Sequence, residues 1–65
     1  MARTTEVTVS GGGRYTVDGD VAEVEQTILA AARGSILELA WLTDSETGER
    51  LGVNPAFVVA LRAAG

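Results

Sequence analysis

The stretch Glu6-Val7-Thr8-Val9-Ser10-Gly11-Gly12-Gly13-Arg14-Tyr15-Thr16-Val17-Asp18-Gly19-Asp20 decides how the rest of the chain is read. In its first half, Val7 and Val9 alternate with Glu6, Thr8 and Ser10. In its second half, Tyr15 and Val17 alternate with Arg14, Thr16 and Asp18. Strand side chains point to opposite faces with a period of two, so each run is a strand with one apolar and one polar face. The glycines between them supply a short turn, and the pair reads as a β-hairpin. Residues 1 to 5 lie ahead of the alternation and are expected to fray.

After Gly19 the period changes. Val21, Val24, Ile28, Leu29 and Ala32 fall at helical spacing and form one apolar stripe, while Glu23, Gln26, Thr27 and Arg33 fill the other side. Asp20 is a good N-cap, and Glu23 three residues later completes a capping box. Arg33 suits the negative end of the helix dipole, and Gly34 is the natural residue to end the helix. The spacing therefore predicts a helix over 20 to 33.

The segment from Ile36 to Thr43 is apolar on both parities and is fenced by turn residues, which predicts a strand buried on both faces. Asp44 to Gly48 forms a loop in which Gly48 supplies a positive φ, and residues 49 to 53 return with Leu51 and Val53 inward. The last segment reads two ways. Asn54-Pro55 fits the start of a helix reaching Ala64, supported by Ala56, Ala60, Ala63 and Ala64. It also fits a single turn before a strand from Phe57 to Arg62, which the run Phe57-Val58-Val59 favours. The fold class is α+β in a single small domain, residues 1–65: a β-hairpin, one helix, then two or three further strands. These form one antiparallel-type sheet with the helix on one face.

Several local strings resemble a family of short actinobacterial proteins known as a domain of unknown function. They are Glu6-Val7 at the start, Glu23-Val24-Glu25 early in the helix, Leu42-Thr43-Asp44 at a strand end, Gly48 and Arg50 in a hairpin, and Pro55-Ala56 before an apolar run. The resemblance covers about residues 6 to 62, and this chain departs from it in its triple glycine and in Trp41. It implies the fold and carries no activity. The bias towards Arg, Ala, Gly and Val fits a bacterial source of high genomic GC content.

Composition narrows the function classes. The chain has 65 residues, 46% of them hydrophobic, with neither Cys nor His. A domain of this size buries only about 60% of its unfolded surface and usually needs a disulfide, a metal or a partner. Disulfides are excluded, and zinc lacks its usual thiolate and imidazole ligands. Association is the staple that remains. Nine acidic residues against five arginines, spread over positions 3, 14, 33, 50 and 62, give a net charge of −4 and argue against nucleic acid. No apolar run approaches the roughly 20 residues that span a bilayer. The start of the chain carries no secretory pattern, so the cytoplasm is the expected location.

The motifs with chemical potential are few. Ser10 to Tyr15 offers glycine-loop amides to a phosphate, with Arg14 to assist, but a strand follows where a phosphate loop would open a helix, and no Lys is present; a plain hairpin loop is the preferred reading. Asp44, Ser45, Glu46 and Thr47 lack the ligand spacing of an EF-hand and read as a solvated turn. Glu38 interrupts an apolar run and is expected to pair with Arg50 or Arg62. With no Cys or His and no activated Ser, the chain is expected to be no enzyme and to use no cofactor.

The favoured function is a self-associating protein-interaction or scaffold module, a homodimer or larger symmetric oligomer. The alternatives are a small-molecule or peptide-binding domain with its site at a subunit interface or open sheet edge, and a nucleic-acid-associated regulator, which the charge disfavours. One helix covers one face of a sheet, so strands apolar on both faces leave a patch for a partner. Two parities are open. In the first, Leu37, Leu39 and Trp41 meet the helix, and Ile36, Ala40, Leu42 and Val58 form the interface, with Glu38 pairing across a two-fold axis. In the second, Trp41 is the interface anchor.

Overall fold

The computed structural model describes residues 3–34 and 38–64. Strands β1 (Thr4–Val9) and β2 (Arg14–Asp18) form the hairpin read from the opening stretch, with Val7 opposite Tyr15 and Thr5 opposite Val17. The loop closes through Val9 N–H donating to the Gly13 carbonyl at 2.9 Å and Gly12 N–H donating to Val9 at 3.1 Å. The strand starts earlier than the alternation suggested. Thr5 is fully buried, and its hydroxyl donates to the Gly19 carbonyl at 2.9 Å, which satisfies it in the core. Residues 4 and 5 are therefore structured, a correction to the frayed-end expectation.

Helix α1 (Val21–Ala32) begins with the capping box that the sequence carries. Asp20 Oδ1 accepts from Glu23 N–H at 2.9 Å, and Glu23 Oε1 accepts from Asp20 N–H at 3.3 Å. Its buried stripe is Val24, Ile28 and Ala31; Leu29 and Ala32, counted in the stripe from sequence, lie exposed. Gly34 does not take the left-handed conformation of a helix-ending glycine, and its N–H closes the last turn on the Ala31 carbonyl at 3.1 Å.

The expected strand from Ile36 to Thr43 is shorter: β3 spans Ala40–Thr43, and Ile36 and Leu37 lie outside the described residues. It pairs antiparallel with β4 (Arg50–Val53), with Ala40 opposite Val53 and Trp41 opposite Gly52. The connecting loop uses Gly48 at φ +76°. Asn54 then caps a single 3₁₀ turn (Pro55–Phe57), and β5 (Val58–Ala63) runs antiparallel to β1. Of the two readings of the C-terminal segment, the turn followed by a strand is the one present.

The fold class is α+β. Its strands divide between a three-stranded sheet, β2-β1-β5, and the two-stranded β3-β4, where one continuous sheet was expected. The two meet where Val17 bridges Asp44 and where Ser45 gives both its N–H, at 2.9 Å, and its hydroxyl, at 3.0 Å, to the Thr16 carbonyl. Beyond that bridge β2 and β3 form no ladder, and α1 packs against β3, the 3₁₀ turn, β5 and β1. Val7, Val17, Val24, Ile28, Ala40, Leu42 and Val53 form the core between them. Among the described residues, no helix is long and apolar enough to cross a membrane.

Candidate functional site

The β3–β4 hairpin fixes which side chains reach solvent. Asp44 Oδ1 accepts from Glu46 N–H at 2.8 Å and from Thr47 N–H at 3.2 Å, an Asx turn that sets the loop. The register that follows turns Ala40, Leu42, Leu51 and Val53 inward, so Trp41, Arg50 and Gly52 share the outer face. Leu42 is 7% exposed and Trp41 52%. Trp41 stands over the backbone of Gly52. A Cβ at that position would lie 3.0 Å from Trp41 Cη2 and 2.9 Å from Leu39 Cδ1. Glycine is therefore the residue that lets an indole and a leucine approach the hairpin backbone this closely. The Arg50 guanidinium sits 5.3 Å from the indole centroid, a cation–π contact on the same face. Leu39, Trp41 and Arg50 thus form a half-exposed apolar surface bordered by one cation.

A second concave feature lies at the other edge of β4. Val9, Ser10, Tyr15, Leu51, Asn54 and Phe57 border an open groove of about 160 Å³ with no charged residue in its lining. Tyr15 and Phe57 are exposed there, so all three aromatic side chains of the protein stand outside the core.

Of the interface residues taken from the first parity, Ala40 and Leu42 are core residues, and Val58 is half-buried against the core. Their proposed outward placement is corrected, as is the packing of Leu39 and Trp41 against the helix. Ile36 lies outside the described residues. The misleading signal was Glu38. It precedes β3, outside the strand's alternation, and says nothing about which parity faces water. Its carboxylate lies over Gly34, where an added Cβ would fall 2.6 Å from Oε1. The arginines expected to pair with it are engaged elsewhere: Arg62 with Glu6 at 2.9 Å, and Arg50 with Trp41. Val58 was misplaced for a different reason. A bulge sets Val9 opposite Val58 while Thr8 stands opposite Ala60, so Val58 and Leu61 both face the core and Val59 is turned out.

Sequence reasoning missed Gly52 and Leu39 as parts of the surface. The signal was available in the hairpin register, which sets the one Trp across from a glycine, a pairing that covers the bare backbone of the glycine.

The remaining motifs hold themselves. In the glycine loop, the Ser10 and Gly12 amides donate to the carbonyls of Phe57 and Val9, so two donors of a phosphate cradle are already used. Among the described residues, no three His, Cys, Asp or Glu side chains gather as a metal-holding group. The chain matches no family model, no curated protein and no solved structure.

Proposed function

We propose that the protein is a self-associating, non-catalytic interaction module whose contact surface is the outer face of the β3–β4 hairpin, with Trp41 as its anchor. The observation that supports this reading is the half-exposed indole seated on Gly52, flanked by Leu39 and Arg50. Tryptophan and arginine are enriched among the residues that dominate binding energy, because a flat ring buries a large apolar area at little conformational cost. Here the ring is already held in place by the hairpin beneath it, so little ordering remains to be done on contact. A symmetric contact brings the same patch from both copies together. Gly52 keeps the surface flat enough for that approach.

Light scattering on the wild-type chain and on Trp41→Glu at tens of micromolar tests the reading. The wild type is expected at a multiple of the chain mass, and the variant at a lower mass while remaining folded by circular dichroism. A monomeric wild type, or an unchanged mass in the folded variant, would sink this assignment of the surface.

A further inference from the structure

We propose that the outer edge of β5 is a second pairing site, independent of the Trp41 face, and that it takes the β5 strand of another copy. The pairing joins two three-stranded sheets into one of six strands about a two-fold axis at Leu61.

Among the described residues, the backbone of β5 has one paired and one open side. Ala64 N–H donates to the Thr4 carbonyl at 3.0 Å, and Thr4 and Ala64 continue the register in which Thr5 faces Ala63 and Glu6 faces Arg62. Hydrogen-bonded positions alternate along an antiparallel ladder. Arg62 and Ala60 therefore turn their backbone groups to β1, and Leu61 and Ala63 turn theirs away from it. Among the described residues no strand pairs with β5 on that side. An open row of N–H and C=O groups is chemically complementary to one kind of occupant, an extended backbone.

A comparison of the sheet edges selects β5. The edge of β2 meets the β3–β4 hairpin through the Val17–Asp44 bridge and the Ser45 bonds to Thr16. The edge of β4 is four residues long, starts with Arg50 and runs into Asn54-Pro55, the short, charged and proline-stopped form that discourages pairing. β5 has six residues, Val58-Val59-Ala60-Leu61-Arg62-Ala63, without Pro, Lys or an acidic residue. Its bulge lies opposite Thr8 and Val9, which leaves the stretch from Ala60 to Ala63 regular. Val59, 66% exposed, adds apolar surface at this edge.

The occupant is a second β5 because the strand complements itself. With the axis at Leu61, Ala60 faces Arg62 of the second copy within the regular stretch, and Ala63 reaches its Val59 where the bulge begins. An axis at Arg62 would set two guanidinium groups against each other, which is destabilising for directly opposite residues. Arg62 is also neutralised within its own chain by Glu6 at 2.9 Å, so two chains of net charge −4 meet along an edge that carries no excess charge.

The test uses Ala63→Pro, which removes an outward N–H and leaves the β1–β5 ladder intact, a placement that edge strands accept. Val59→Lys, which charges the same edge, is the second variant. If both surfaces operate, the wild type is larger than a dimer by light scattering. Trp41→Glu and Ala63→Pro each reduce it to a dimer, and the double variant is a monomer. Amide exchange gives a separate readout. The Leu61 N–H is expected to be as protected as that of Arg62 in the wild type and in Trp41→Glu, and to lose that protection in Ala63→Pro and Val59→Lys. An Ala63→Pro mass equal to the wild type, with Leu61 exchanging equally fast in both, overturns the β5 site and leaves the Trp41 surface standing. A monomeric Ala63→Pro beside an unchanged Trp41→Glu does the reverse. A monomeric wild type overturns both.

Discussion

Leu42→Glu and Trp41→Glu are neighbours in one strand and should behave in opposite ways. Leu42 is 7% exposed and packs with Val53 and Ala40 in the core. Truncating such a leucine to alanine costs about 2–5 kcal/mol. A glutamate adds the cost of burying an unpaired carboxylate, several kcal/mol more. At roughly 0.05–0.15 kcal/mol per residue, a chain of 65 residues has only about 3–10 kcal/mol of stability in total. Leu42→Glu should therefore be unfolded. Trp41 keeps about half of its ring in water. Losing the other half removes roughly 100 Å² of apolar contact, or about 2.5 kcal/mol. Arg50, freed from the ring, then has a carboxylate within reach. Trp41→Glu should fold. Far-UV circular dichroism with urea melts at low protein concentration separates the two. A folded Leu42→Glu beside an unfolded Trp41→Glu would show that β3 presents the other face to the core, and the reasoning about both surfaces would have to start again.

Asp20→Ala removes the acceptor of the Glu23 N–H, one of the two bonds of the capping box, and should cost on the order of 1 kcal/mol in a urea melt; no measurable loss would contradict the role given to the cap. Ile28→Ala should cost roughly 2–5 kcal/mol and Leu29→Ala well under half as much, because Ile28 is 8% exposed and Leu29 40%; equal losses would refute the burial assigned to α1.

What was legible in the sequence was what adjacent residues decide between themselves. The Asp20–Glu23 box, the first hairpin and the positive φ at Gly48 each depend on a few neighbouring residues and appear where they were read, and the turn at Asn54-Pro55 is one of the two readings that segment left open. What failed depends on distant partners. Leu29 fits the helical period as well as Ala31 does, and only the position of β3 and the 3₁₀ turn decides which of them is covered. The parity of Ala40 to Leu42 could not come from the strand itself, since both faces are apolar. It is set by Val53 across the hairpin and by α1 above it. The bulge that turns Val58 inward depends on Val9, some fifty positions away in the chain, and periodicity within β5 predicts the opposite. The candidate surface was legible as a choice between two parities, and Gly52 was the residue able to decide it.

The distribution of side-chain size supports the proposed association. Among the described residues the core is built from Val, Ala, Leu and Ile, and the four largest fully buried side chains are three valines and a threonine. Tyr15, Trp41 and Phe57, which carry the largest apolar areas, stand at the surface. A fold maximising its own stability as a monomer would place these rings inside, where each would bury on the order of 200 Å². Holding them outside leaves the monomer with a small core while preserving apolar area for a partner. The proposed association would stabilise the folded state by mass action, since only folded chains present the Trp41 face and the β5 edge. The two surfaces lie on different sheets and differ in chemistry, a side-chain platform on one and a backbone ladder on the other. A substitution in one can therefore leave the other working, and that independence makes the paired variants decisive.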